Sequence, residues 1–419
     1  MSDINKLYYN IRKKGAINMK YYMFNGLNGN GRSNKPKKEL NKKKVWKTAI
    51  SFLCIILIIS FVILYATNEK CREVFDKYVF RKEVQENNLP SIKIDSSKNI
   101  NVCTYGRFVG VLEQNLLKIY NKSGNQEHSL DIEISNPLFQ TNGEYLCVAE
   151  KRGQKIYLIK NKNIIWQNEI EGNVTSINVN KNGYVSITIS GTTYKTVVAT
   201  YDQNGKELFK TYLSTNNVID TDISNDNKYL AIAEANFSGI VVQSSVKIIS
   251  IEDAQKNSSQ PIKYTHIAET DDLITNIKYH SKNKLICMYD GHIDILDEGR
   301  NEEIINFGNE NILFSDINLS DKIIKIEKKS TGVFTAEAEM KIINTNTRKE
   351  TIYAIYNVPK FVYVQDNMIA VNLGTRALFI NDSGWLVKKY ESSHEIQEIV
   401  LCDNVAAIVS KNKIEIISL

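Results

Sequence analysis

The chain of 419 residues holds only five prolines, six cysteines, five histidines and three tryptophans. So few prolines exclude collagen-like and proline-rich architectures. Six cysteines, none adjacent to another, are too sparse to frame a small disulfide-stapled fold. The histidines (His128, His266, His280, His292 and His394) show no HxH or HExxH spacing, and each falls at or near the end of a β-rich run. No GxSxG elbow, Walker A loop or Cys/His nucleophile pair occurs. The expectation is therefore a protein with no catalytic residues, no metal ligands and no cofactor. Apolar residues make up 42% and charged residues 24%, as in ordinary folded proteins.

Charge is unevenly spread. Residues 1–47 carry 13 Lys/Arg against 2 acids, whereas residues 48–419 carry 40 against 45. The slightly acidic bulk argues against nucleic-acid binding. Between the two parts lies an apolar run, Thr48 to Thr67, without a charged side chain. At ~1.5 Å per residue, ~20 such residues match a ~30 Å hydrocarbon core. Trp46 and Tyr65 sit at its ends, where amphipathic rings favour the interface. A cleaved signal peptide fits badly, because the run is too long and begins after 47 residues. Basic residues are denser before the run than after it, which keeps the tail cytoplasmic and places the remainder outside.

The expected organisation follows. Residues 1–47 form a basic flexible cytoplasmic tail, 48–67 a transmembrane helix in the lipid bilayer, 68–90 a short helical stalk and 91–419 an extracytoplasmic domain of a single-pass cell-membrane protein. The stalk expectation rests on Val74, Tyr78, Val79 and Val84 at rough helical spacing, stopped by Asn88 and Pro90. The tail's Gly26–Gly31, a rough GxxGxG, follows no strand pattern and reads as linker. The lysine-rich run Lys35–Lys47 reads as a stop-transfer cluster, with anionic lipid head groups as its alternative partner.

From about Ser91 onward short alternating runs are separated by Asn, Asp and Gly turns. A turn followed by an apolar run recurs eight times, as in YGRFVGVLE at Tyr105, NGEYLCVAE at Asn142 and DNKYLAIAE at Asp226. The later copies begin at Asn182, Lys282, Ser320, Asp366 and Asp403 within the order, and successive spacings are 37, 40, 44, 56, 38, 46 and 37 residues. Each copy has a strand before it and a third strand after it. A fourth follows in all but the last. Four strands per ~40–45 residues is the period of a β-propeller blade. Ser91–Asp95 (SIKID) is spare at the start, and can supply the strand the last blade lacks, closing the ring. The fold expected is an all-β, eight-bladed propeller, with seven blades as the alternative.

Blade 3 contains Tyr201-Asp202-Gln203-Asn204-Gly205-Lys206-Glu207-Leu208-Phe209. This is similar to the Asp-x-x-x-Gly-Lys-x-x-Trp turn of quinoprotein-like bacterial propellers, often eight-bladed. Here the Asp–Gly gap is one residue shorter and Phe209 replaces the Trp, while Trp166 keeps it in blade 2. No Trp-Asp dipeptide of the WD40 family occurs. The layout also resembles uncharacterised membrane-anchored propeller proteins of clostridia, in keeping with the Ile/Asn/Lys-heavy composition. The resemblance covers residues 91–419 in architecture and carries over no cofactor or catalytic residue. A pyrroloquinoline quinone enzyme would need a vicinal disulfide or a calcium cluster, and no Cys-Cys pair exists.

Among the cysteines, Cys147 and Cys287 read as small core residues, and alternation points the thiols of Cys103 and Cys402 to opposite faces rather than into a disulfide. Cys71, near the membrane, leaves dimerisation open. One constellation points to binding. Glu113, Glu150, Glu234 and Asp290 end the second strands of four blades, where they should share one propeller face. Glu269, Asp271, Asp272 and Glu310 lie on crossovers of that face. Such a rim would favour a cationic partner or divalent ions; its alternative is a set of solvated turn acids. The function expected is a non-catalytic interaction module of the cell envelope, holding a protein, peptide or cell-wall partner. The alternatives are an envelope-glycan hydrolase or lyase, with paired carboxylates, and a receptor signalling through its basic tail.

Overall fold

The computed structural model describes residues 42–67, 71, 74–76, 79–80, 82–85, 89–95, 99–256, 260–270, 272–297, 300–308, 311–329, 336–402 and 404–419. The tail before residue 42, with its glycine run, lies outside the described residues, as do Asp271 and Glu310. The chain forms two compact units, residues 1–73 and 74–419. In the first, α1 (Lys42–Thr67) is a 26-residue helix whose interior is Leu, Ile, Phe and Val with no Gly or Pro. Phe52, Leu57, Ile58 and Val62 are exposed along it. Judged on the described residues alone, no helix is long and apolar enough to cross a membrane. A span over Thr48–Thr67 therefore rests on the sequence of that run.

The second unit is eight antiparallel sheets, each a blade. Their strands are β3–β6 (100–131), β7–β10 (137–169), β11–β14 (173–213), β15–β18 (217–267), β19–β22 (274–306), β23–β26 (312–355), β27–β30 (361–391) and β31–β33 (398–418). Second strands are buried on both faces, as in β4 (Phe108–Glu113), β12 (Val185–Ser190) and β28 (Met368–Asn372). They are continuous β-branched and aromatic runs because a neighbouring blade covers each face. Fourth strands alternate between exposed and covered, as in β10 (Asn163–Glu169).

The apolar core is correspondingly divided. Eight clusters of buried side chains occur among the described residues, each drawn from two successive blades. The cluster that joins blade 8 to blade 1 packs Ile92, Val102, Val109 and Val111 against Cys402, Val405, Ala407 and Ile414. Ile92 reaches it from β2 (Ser91–Lys93), which pairs antiparallel with β33 (Lys413–Ser418), Ile92 opposite Ile414. The spare N-terminal strand thus supplies the last blade's fourth strand.

Two elements depart from expectation. Glu83–Gln85, placed by pattern in a helical stalk, form β1, a parallel fifth strand on β30 (Leu386–Glu391) of blade 7. The edge offered unpaired backbone groups, and Lys389 Nζ holds Glu83 Oε1 at 3.3 Å. Among the described residues of 68–90, Cys71 and Val74–Asp76 are helical. In blade 6 the inner strand is Ile312–Asp316, upstream of the expected Ser315–Ser320, because Leu319 bridges instead to Asp366 of blade 7. The longest repeat spacing is explained by blade 4, which inserts α2 (Ile251–Gln255), capped by Ser250 Oγ accepting from Asp253 N.

Turn chemistry repeats with the blades. The first-to-second turns place Gly106, Gly143, Gly183, Asn227, Asn283, Asp321 and Asp366 at positive φ. These are the residue types that tolerate the left-handed region. The third-to-fourth turn of blade 3 is held by Asp202 Oδ1, which accepts from Asn204 N at 2.8 Å and Lys206 N at 3.0 Å. Its Gly205 has φ +81° and lies against the indole of Trp166 from blade 2, so an added Cβ would stand 2.6 Å from Trp166 Cγ. Trp166 in turn stacks on Tyr201. The Gly and the Trp of this turn motif are thus one inter-blade contact. Gly143 has φ +55° with nothing within 4 Å of a Cβ. Replacement of Gly143 by Ala should cost about 1 kcal/mol, the backbone penalty alone. Gly205→Ala should cost about 2–4 kcal/mol, since overpacking adds to it. Denaturant unfolding of the two variants checks this, and equal losses would show that Trp166 does not constrain the turn.

Candidate functional site

Because consecutive strands of a blade run antiparallel, second-to-third connections and inter-blade crossovers emerge on one face, here termed the crossover face. First-to-second and third-to-fourth turns emerge on the opposite, turn face. Glu113 and Glu150 end their second strands and Asp290 immediately follows one, whereas Glu234 lies inside β16 (Tyr229–Asn236), two residues before its end. They do not form an open negative rim. Glu113 pairs with Lys118 Nζ at 2.6 Å. The Glu150 carboxylate accepts from Ser135 N and Asn136 N at 2.8 and 3.1 Å. Asp290 Oδ1 accepts from Leu273 N at 3.3 Å. Glu234 is 1% exposed, and its Oε1 accepts from Asn216 Nδ2, Ser245 Oγ and Lys247 Nζ at 2.9, 3.1 and 2.7 Å. The physical reason is local. Crossovers leave backbone N–H groups without ladder partners, and the nearest acid satisfies them.

Glu269 and Asp272 behave differently. They stand on the crossover between blades 4 and 5, Glu269 exposed and Asp272 half-buried, and line a crevice of about 530 Å³ between those blades. Its walls are built from β18 (Ile262–Ile267), β20 (Leu285–Tyr289), β21 (His292–Asp297) and β22 (Arg300–Asn306). Period-2 alternation puts His292 and Asp294 on one face of β21, and Asn301 and Glu303 on one face of β22. His266 from blade 4 meets Tyr289 from blade 5, Nε2 to Oη, at 3.1 Å. The His292 ring stacks on Tyr289 with centroids 4.1 Å apart and planes 12° apart. Asp294 Oδ2 accepts from Asn301 Nδ2 at 2.6 Å and lies 3.5 Å from His292 Nε2. Burial pushes His266 below the usual histidine range, with Asp294 pulling the other way. Its imidazole is therefore neutral at neutral pH and can accept from, or donate to, the phenol.

Composition signalled none of this. The two histidines are 26 residues apart on different blades, so no local spacing pairs them. His280 is buried, donates from Nε2 to Ile317 O at 2.9 Å, and is pushed down to about 4 by burial. The readable traces of the crevice are the crossover acids Glu269 and Asp272 and the alternation His292-Ile293-Asp294. Among the described residues no group of three His, Cys, Asp or Glu side chains could hold a metal ion. Cys103 packs in the cluster between blades 1 and 2, and Cys402 in the cluster between blades 8 and 1.

A second polar constellation lies on the inner strands. Asp220 and Asp222 of β15 (Asn217–Ile223) reach across to blade 5. Asp220 Oδ2 accepts from Ile277 N at 2.9 Å and Asp222 Oδ2 from Tyr279 N at 2.6 Å. Lys278 Nζ sits 3.3 Å from Asp222 Oδ1. Burial pushes Asp220 up to about 6, and does the same to Asp316 on the inner strand of blade 6. Lys278 and Asp366 also line a cavity of about 340 Å³ at the turn face. These groups tie the inner strands of blades 4 and 5 together.

The geometry defines a closed eight-bladed propeller with a polar seam between blades 4 and 5. The chain belongs to the family of unknown function DUF5711, whose model matches residues 75–419. No curated protein matches it. Among solved structures it is similar to BamB from Moraxella catarrhalis, at 11% identity and TM-score 0.47, over 78% of this chain and 98% of that one. It is also similar to AztD from Citrobacter koseri, at 12% identity and TM-score 0.44, over 75% and 90%. The propeller domain of Swd1 from Myceliophteria thermophila matches at 11% identity and TM-score 0.42, over 78% and 98%.

The inner-strand acids yield a pH test. The folded-state pKa of Asp316, at about 6, lies above the ~3.9 of an unfolded chain. Its contribution is fully present below ~4 and is lost as pH rises through about 6. Asp316→Asn should therefore raise the melting temperature at pH 7.5, by roughly 2 °C, and change it less at pH 5. An equal shift at both pH values would show that the carboxylate is not held protonated by its surroundings.

Proposed function

We propose that this protein is a membrane-tethered interaction module whose propeller stands outside the cytoplasmic membrane and holds a protein partner on its crossover face. The observation that carries this reading is the composition of that face over blades 3 to 5. Tyr194 and Tyr212 are both exposed there, with ring centroids 4.7 Å apart. The neighbouring second-to-third connection of blade 4 exposes Phe237, Ile240 and Val241, Ile240 fully. Next to it open the acid-lined crevice and the exposed Glu269. Clustered exposed aromatic and aliphatic side chains beside a charged pocket are the make-up of a protein-binding patch. Tethering is supported by the uncharged Thr48–Thr67 stretch of α1 and by the lysine-rich segment before it. The basic tail is then cytoplasmic, and the propeller works in the cell envelope.

Two measurements test the reading. A photo-crosslinking residue placed at Tyr212 in intact cells should give a discrete protein adduct, and the same residue at Asn204 on the turn face should not. Ile240→Asp should abolish the Tyr212 adduct. Equal adducts from the two faces, or none from the crossover face, would overturn the interaction reading. For the topology, protease added to intact cells should remove the propeller and leave a membrane-bound N-terminal fragment. Full protection would reverse the orientation.

A further inference from the structure

Among the described residues six carboxylates are almost wholly removed from solvent, more so than the part-exposed Asp220 and Asp316: Asp76, Asp222, Glu234, Asp294, Glu327 and Glu415. Five of them face a lysine ammonium of the chain itself. Lys82 lies 3.0 Å from Asp76, Lys278 3.3 Å from Asp222, and Lys247 2.7 Å from Glu234. Lys325 lies 2.7 Å from Glu327 and Lys413 3.2 Å from Glu415. This is what electrostatics demands, since an ionised carboxylate taken out of water needs a counter-charge. Asp294 is the exception. It is 2% exposed, no lysine or arginine pairs with it among the described residues, and its Oδ1 is buried without a hydrogen-bond partner.

Asp294 is also the buried member of the crevice. Among the described residues, those lining that space include four carboxylates, Glu269, Asp272, Asp294 and Glu303, and no lysine or arginine. The two imidazoles stand on the same walls, His266 neutral by burial and engaged with Tyr289, His292 stacked on the phenol. The charge that the rest of the protein supplies internally is missing here, next to a space large enough to admit it from outside. A metal ion is the wrong occupant, because among the described residues no three ligating side chains converge. The exposed Asn301, whose amide covers Asp294 Oδ2, is the side chain that would swing aside.

We propose that the crevice between blades 4 and 5 is a binding site for an organic ammonium group, with Asp294 as its buried counter-ion and Glu269, Asp272 and Glu303 attracting it to the entrance. A lysine side chain of a partner and a free aliphatic amine share this chemistry. The inference deepens the interaction-module reading, and its test does not use the native partner.

The full chain in detergent micelles is titrated calorimetrically with tetralysine, with tetralysine acetylated on every side-chain amine, and with cadaverine. Tetralysine or cadaverine should bind and the acetylated peptide should not; tighter binding of tetralysine assigns the site to a peptide, equal or tighter binding of cadaverine to a free amine. Asp294→Asn should weaken binding at least about tenfold. It should leave the melting temperature of the ligand-free protein unchanged or raised, because an unpaired buried charge is removed. Binding by Asp294→Asn within threefold of the native protein, or no binding of either amine to the native protein, would overturn the proposal. So would a marked fall in melting temperature that Asp294→Asn and His292→Asn share, which would make protonated His292 the counter-ion. Should Asp294→Asn not fold, the exposed Glu269→Gln with Asp272→Asn replaces it, and unchanged amine affinity in that double variant overturns the proposal equally. A Tyr212 adduct that persists while amine binding is lost leaves the interaction reading standing and removes the crevice from it.

Discussion

No blade of this protein can bury its own apolar surface. A four-stranded sheet has two faces, and in each blade the second strand is covered on both, so every blade needs a neighbour on either side. The eight inter-blade clusters are that requirement met, and the ring is the only arrangement that meets it for all of them. The first and last blades are joined by a strand of three residues, Ser91–Lys93, and by one fully committed side chain, Ile92. Burying an isoleucine of this kind is worth about 2–3 kcal/mol. Its larger effect is topological: without it the blade 8 sheet ends on an open edge. The twelve-residue reach from β1 to Ile94 holds the chain's entry on the outer rims of blades 7 and 8.

What the sequence made legible was whatever repeats. Seven first-to-second turns have Gly, Asn or Asp at positive φ, and each second strand is a short buried run. Eight copies reinforce one another, so the period, the blade number and the closing strand could be read from pattern alone. The features it hid belong to single blades. Glu83–Gln85 are too short to show alternation, and their strand exists only because blade 7 presents an edge. The shift of the blade 6 inner strand depends on Leu319 finding Asp366, a contact between blades that no local window contains.

The acids follow the same division. Their position at strand ends was visible; their use was not. A carboxylate near a crossover has a choice between solvent and a backbone N–H left over from the ladder, and a charge-assisted hydrogen bond wins when the geometry is short. Glu150 spans two consecutive amides in this way, and Glu234 goes further, drawn under its connection by Lys247. An acidic face inferred from one-dimensional alignment therefore overcounts free charge. Lys118, Lys247 and the crossover amides are the partners that such an alignment does not see.

The seam between blades 4 and 5 shows how a rigid ring acquires a site. Inner and middle strands pack with apolar side chains, as Ile248, Ile277 and Leu285 do at this seam. Toward the third and fourth strands the two blades diverge, because each sheet twists, and the gap that opens must be filled by larger side chains or left open. At the seam between blades 2 and 3 the filling is structural: Trp166 of the fourth strand lies over Gly205. At the seam between blades 4 and 5 the outer positions are His266, His292, Asp294 and Glu303, and the gap stays open. A polar gap on a scaffold whose walls are fixed by two sheets needs little reorganisation to receive a ligand, which favours affinity. The unpaired Asp294 is then a local sacrifice of stability that the closed ring tolerates, and a charge brought by a ligand is what relieves it.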